Sequence, residues 1–244
     1  MGSTGANTSG AGSTSITIFQ DGPVTIEFDE PLVYSNTKQS IPSKAEKGIR
    51  EFEAKHINSK TEYSYFVTDD GKVVESNHGG KKTVSASAYA RLNSDLMTHN
   101  HPSVLGGLGG SFSADKDLYN FVNYKQHMYR AAAKEGVYVI SKTPAFTKAG
   151  GKEFVKQATE FSKPLLAEAR KYRLKLQKQA QAEADIIYAD KSLTSKERSA
   201  KINKLVTDAN IQLYKKQNPI LIRIHNWYRD NAGKYGMIYG LEKH

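Results

Sequence analysis

The chain of 244 residues has no cysteine. This excludes a disulfide framework and removes the usual argument for an oxidising, secreted setting. It also means that any metal site must be built from other ligands. No apolar run approaches the roughly eighteen residues that a membrane span requires. The N-terminus lacks the charged-then-apolar pattern of a secretory signal. The glycine-rich stretch Gly106–Gly110 lacks the Gly-Lys-Ser/Thr ending of a phosphate-binding loop. No recognised DNA-reading motif is present. These absences predict a cytoplasmic protein of a bacterium or an infected host cell, with a virion as the other setting and no membrane partner. Hydrophobic residues make up 38% and charged residues 25% of the chain, enough for a core but polar enough that part of the chain should be extended.

The most informative segment is His99-Asn100-His101-Pro102, followed by a glycine-rich stretch and Ser111-Phe112-Ser113-Ala114-Asp115-Lys116-Asp117. Ser94 to His99 leads into His101 as a strand that Pro102 should end. Alternation puts His99 and His101 on one face of that strand. Two imidazoles, with a carboxylate about a dozen residues later, offer three ligands to a catalytic zinc and leave a fourth position for water. Ser113 reads as the N-cap of a helix carrying Leu118, Phe121, Val122 and Lys125, ending near Glu135 with Gly136 as its C-cap. A lone His-X-His pair arises by chance; the loop and the acidic first turn lift this one above that.

Thr98-His99-Asn100-His101-Pro102-Ser103, the glycine-rich loop and Ser-Phe-Ser-x-x-x-Asp-Leu resemble the metal-binding signature of the JAB/MPN (JAMM-motif) zinc metalloproteases, in their bacterial and phage branch. The resemblance spans about residues 43 to 141, with the last strand added. It implies an α/β (α+β) fold: a mixed sheet with flanking helices, of the cytidine-deaminase-like type. It implies one zinc per chain on His99, His101 and an aspartate. It further implies Glu62, at the head of the strand Thr61–Thr68, as general base, and a serine beside the metal. The family spacing is Ser-x-x-Asp, whereas three positions after Ser113 stands Lys116. The ligand is therefore Asp117 or Asp115, and the serine Ser113 or Ser111. The implied reaction is hydrolysis of a peptide or ubiquitin-like isopeptide bond.

Other segments carry less chemistry. Asp69-Asp70-Gly71 reads as a hairpin turn rather than a calcium loop, because the further ligands are missing. His56, His78, His127 and His225 read as surface or packing residues, with His127 in the helix after the site; His244 is the chain end.

Four regions are expected: a Gly/Ser/Thr tail over 1–15, a metal-binding core over 16–150, a basic helical hairpin over 151–218, and a closing helix and strand over 219–244. The core should open with a hairpin over Ile16–Tyr34, then a helix over Ser43–His56 with a Ser43/Glu46 capping box. Strands at Lys72–Ser76, Thr83–Ala86 and Val137–Ser141 follow. The inserted hairpin should pair a helix over Lys152–Asp190, with Pro164 in a first turn, and one from a Thr194/Glu197 capping box to Gln217, along a seam of Leu174, Ile187, Ile202, Leu205 and Leu213. Pro219 should open a separate helix, and Tyr235–Leu241 should rejoin the sheet. Residues 152–216 hold 15 basic and 8 acidic residues, seven of the chain's ten net positive charges. Interspersed charge of this kind is by default a solvated face. A virion protein, another protein or a nucleic-acid backbone is the partner such a surface would take. The alternative to the enzyme is thus a non-catalytic interaction protein on the same core, working through its hairpin.

Overall fold

In the computed structural model, residues 32–80, 84–102 and 108–244 are described. The tail, most of the expected hairpin over Ile16–Tyr34, Thr83 and Ser103 to Gly107 lie outside the described residues. The chain is of the α+β class. Among the described residues, one mixed sheet holds β1 (Tyr63–Val67), β2 (Val73–His78), β3 (Leu96–Asn100), β4 (Met128–Ala133), β5 (Gly136–Lys142) and β6 (Met237–Glu242), in the order β2-β1-β3-β4-β5-β6. Only β3 and β4 run parallel. The helices are α1 (Ser43–His56), α2 (Ala88–Asn93), a π-helical turn (Ala114–Leu118) leading into α3 (Tyr119–Asn123), α4 (Lys148–Ala189) and α5 (Ser195–Asn231).

Strand alternation sorts the core onto two faces. On one, Ala45 and Ile49 of α1 cover Val67, Leu96, Met128, Ala132, Val137 and Val139. On the other, Phe66, Met97, Tyr129, Ala131 and Tyr138 pack with Leu118, Phe121, Phe154, Ile224 and Tyr228. Each such side chain contributes roughly 1.5–3 kcal/mol when fully buried. The α1 face also buries Arg130. Its Nε donates to Glu53 Oε1 at 2.6 Å and its Nη2 to Glu242 Oε2 at 3.1 Å, tying α1 to β4 and β6.

Several expectations are corrected. The helix after Ser113 ends at Asn123, not Glu135, because Met128–Ala133 is a central strand parallel to β3. That run is buried on both faces, so its apolar pattern does not separate strand from helix. Gly136, at φ 149°, opens β5 instead of capping a helix. Ser43 is the first residue of α1, with Pro42 before it and no side-chain cap, so the Ser43/Glu46 capping box does not form. Residues 84–87 form no strand. Pro164 lies deep inside α4, and Pro219 inside a continuous α5, so the expected boundary at 218 falls within one helix. Buried Ile220, Ile222 and Ile224 hold the helix through that proline, where the missing N–H would otherwise end it.

The capping box of Thr194 and Glu197 is present, and β6 rejoins the sheet beside β5. The hairpin seam has its own cluster of Leu176, Ala180, Ala184, Val206, Ala209 and Leu213, with Ile202 and Leu205 half-buried against it. Leu174, expected there, is 54% exposed. A helix of 42 residues is about 63 Å long, longer than a six-stranded sheet is wide (about 24 Å between outer strands). Residues of α4 up to Ala169 pack on the sheet, and those beyond form the separate seam, an arm. Among the described residues, no helix is long and apolar enough to cross a membrane.

Candidate metal centre

Two sheet strands and one turn build the site. His99 lies on β3 directly opposite Ser64 of β1, and His101 follows just past the strand end. Both imidazoles turn to the same face, as the spacing requires, and their Nε2 atoms stand 2.8 Å apart. Asp117 completes the group: Oδ1 is 3.8 Å from His99 Nε2, and Oδ2 is 3.8 Å from His101 Nε2. One donor atom from each of these three residues lies within 4.8 Å of the others.

The π-helical turn explains how Asp117 arrives there despite the long spacing. The Leu118 N–H bonds the Ser113 carbonyl five residues back, at 3.0 Å. A π turn takes up one residue more than an α turn. It returns Asp117 to Ser113, whose N–H and Oγ both donate to Oδ2, at 2.8 and 2.9 Å. Asp115, the alternative ligand, is exposed at the cleft and stands outside the three-residue group.

The protonation pattern suits a cation. His101 Nδ1 is 2.8 Å from the Gly110 carbonyl, which can only accept, so Nδ1 carries the proton and Nε2 presents its lone pair. Burial first, then His101, pushes the pKa of His99 down to about 4, leaving the ring neutral at pH 7. Without an ion, His99 must donate from Nε2 to His101, which strips the proton from Nδ1, an atom buried without a hydrogen bond. With a cation, both Nε2 lone pairs would be engaged and Nδ1 would keep its proton. Burial raises the Asp117 pKa, but His99, His101 and the Ser113 hydrogen bonds outweigh it and hold the carboxyl below its ordinary range. Two neutral imidazoles and one carboxylate fit zinc.

Glu62 sits just before β1, its main chain paired with Gly79 and Gly80, and lines the same cleft of about 670 Å³. Partial burial raises its pKa; His101 and Lys116 oppose the rise and Asp117 adds to it. The two serines are committed elsewhere. Ser113 is bound to Asp117. Ser111 Oγ lies 2.5 Å from Tyr239 Oη, which lies 2.8 Å from His225 Nδ1. His225 Nε2 faces the Val33 carbonyl at 3.1 Å, so Nδ1 accepts from Tyr239, and Tyr239 in turn accepts from Ser111. Both hydroxyl hydrogens are thus engaged within the protein.

Five further residues hold the site, and their roles are not legible in the sequence. Glu135 accepts from the Gly109 and Gly110 N–H groups at 3.0 and 2.7 Å, fixing the carbonyl that orients His101. Gly110 itself, at φ +80°, has a conformation that favours glycine. Asn218 accepts from the Leu108 N–H at 3.1 Å. Tyr239 and the buried His225 form the relay to Ser111. Except for Gly110, these residues lie far from the histidines in the chain, so no local pattern marks them. His127 is not near the site; it bonds Asp69 at 2.8 Å beside the β1–β2 turn. His56 and His78 stack on Tyr63 at 4.0 and 4.6 Å. No protein-family model, no curated protein and no solved structure matches this chain.

Proposed function

We propose that the chain is a zinc-dependent peptidase or isopeptidase of the JAB/MPN type. The observation that carries this reading is the convergence of His99, His101 and Asp117 in a cleft that Glu62 also lines. The motif resemblance supports the same assignment. Zinc, when bound there, supplies Lewis acidity, which polarises a carbonyl and brings a water's pKa toward neutrality. The two imidazoles and Asp117 hold it, and the Ser113 hydrogen bonds fix the carboxylate. Glu62, with its raised pKa, takes the proton of the attacking water and returns it to the departing amine. The substrate is a protein or peptide.

A second reading rests on the arm, which packs on its own apolar seam and carries the excess of positive charge. In it the chain binds a virion or other protein partner through α4 and α5 without catalysis. Metal analysis separates the two. The hydrolase reading expects about one zinc per chain, lost in His99→Ala, retained in Glu62→Gln, and peptide cleavage lost in both. Failure of the wild-type protein to take up zinc in a titration refutes it and leaves the arm as the site of function.

A further inference from the structure

Eight buried side-chain atoms lack a hydrogen-bond partner among the described residues, and three of them belong to residues lining the metal cleft: His99 Nδ1, Ser64 Oγ and Arg91 Nε. Unsatisfied buried polar atoms cost of order 1–3 kcal/mol each, so their concentration in one cleft calls for a ligand. Arg91 is the one with a charge to offer.

Arg91 stands on α2 and reaches the cleft beyond Met97 and Tyr129, which are paired across β3 and β4. Its side chain is held by Tyr124 and its main chain by Gln126. Its guanidinium lies over the Tyr124 ring at 5.1 Å, its Nη1 donates to Tyr124 Oη at 3.0 Å, and its carbonyl accepts from Gln126 at 2.9 Å. Nη1 is thereby used, and among the described residues the buried Nε has no acceptor. No carboxylate oxygen among the described residues lies within 4 Å of it. Glu75, whose carboxylate feels the Arg91 charge, is spent on Ser87 and Asn77. Tyr129 lines the same cleft as Arg91 and the metal group. Met97 and Tyr129 precede His99 and Ala131 by two residues on their strands, about 7 Å along the sheet. Phe66 adds an apolar wall.

We propose that Arg91 is a carboxylate-binding subsite of the metal cleft, so that the group cleaved at the metal belongs to a peptide that also carries a carboxylate. This rests on the hydrolase reading for the word "cleaved" and on the Arg91 surroundings for the subsite. A guanidinium that borders the cleft without a carboxylate partner is charged to take one, and a side chain already ordered loses little freedom on binding. The carboxylate comes either from the peptide's free C-terminus or from an acidic side chain.

The test uses the zinc-loaded full chain carrying Glu62→Gln, so that nothing turns over, and measures affinity by calorimetry. The probes are acetyl-Ala-Ala-Ala-Ala with a free carboxylate or a C-terminal amide, and acetyl-Ala-Glu-Ala-Ala-amide or its Gln counterpart. The expected result is at least a tenfold preference for one carboxylate-bearing peptide over its neutral partner. The pair that shows it identifies the source. The preference should vanish in Arg91→Met, persist in part in Arg91→Lys, and survive Lys116→Ala at the cleft mouth. Equal affinity within both pairs, including no detectable binding at millimolar concentration, overturns the proposal, as does a preference that persists in Arg91→Met. If Arg91→Met fails to fold, loss of the preference in Arg91→Gln replaces it. Carboxylate preference tracking Arg91 without cleavage by the Glu62 protein would retain the subsite and remove the hydrolase. Cleavage without preference would do the reverse.

Discussion

Ser113→Ala removes one oxygen with two tasks. Ser113 Oγ donates to Asp117 Oδ2 at 2.9 Å and accepts from the Asp117 N–H at 3.2 Å, capping the π turn. A hydrogen bond to a charged group is worth about 1.5–3 kcal/mol, and an N-cap about 1 kcal/mol. Because one atom serves both, the combined loss in the metal-free protein should be about 2–3 kcal/mol, less than the sum of the two upper values. The Ser113 N–H still holds the same carboxylate oxygen at 2.8 Å, so Asp117 should stay in place but swing more freely. Loss of a hydrogen bond to a metal ligand lowers metal affinity by about 10–100-fold. Zinc affinity by competition with a chromophoric chelator, together with urea unfolding of the metal-free protein, measures both effects. Ser113→Thr keeps the hydroxyl and should restore both. Zinc affinity equal to wild type in Ser113→Ala would refute the orienting role, and the assignment of Asp117 as ligand would then need a different support.

Arg130→Met leaves Glu53 and Glu242 buried with Arg50, at 3.5 and 3.6 Å, as their remaining cationic partner among the described residues, beside the neutral donors Thr98 Oγ1 and the Gln39 N–H, and should cost about 3–5 kcal/mol in urea unfolding; a loss below about 1 kcal/mol would show that the triad is not under electrostatic load. Tyr239→Phe leaves His225 Nδ1 buried without a donor and should cost about 1–3 kcal/mol, with zinc stoichiometry unchanged; loss of zinc would place the relay in the metal site itself. Lys142 donates to the Tyr124 carbonyl at 2.7 Å, and burial, with Lys148, lowers its pKa to about 8. In the unfolded chain it titrates near about 10.4, so the folded state loses its proton first and the charged form costs stability below about pH 8. The stability gap between Lys142→Met and wild type should therefore narrow as pH rises from about 8 to 10; a constant gap would contradict the buried, charged lysine.

Alternation and capping chemistry made parts of this chain legible. His99 and His101 share a face because they lie two apart in extended chain, and Thr194 with Glu197 marks the start of α5. The last strand, with its aromatic and β-branched residues, was readable on the same basis. Asp117 was left open against Asp115 because a π turn has no sequence signature of its own: its extra residue looks like a slip of register. Met128–Ala133 was misread because a strand covered on both faces lacks the period of two that an exposed face supplies. Pro219 reads locally as a helix start, and tertiary packing overrides that local rule in the continuous α5. Glu135 and Arg91 have neighbours close in space but distant in the chain, and no spacing rule reaches them.

The continuity of α5 through Pro219 matters for the site. Asn218, Leu221 and His225 stand at i, i+3 and i+7, one face of a helix. Asn218 takes the Leu108 N–H, Leu221 lies against Gly110, and His225 takes the Tyr239 hydroxyl that holds Ser111. All three contacts bear on the loop whose Gly110 carbonyl sets the His101 tautomer. A break at Pro219 would put Asn218 and Leu221 on separate segments, and the loop would lose a common support. The same helix runs back through Leu213, Ala209 and Val206 into the arm. The arm and the metal centre are therefore built on one rigid element, and the helical insertion is part of how the His101 side of the site is held.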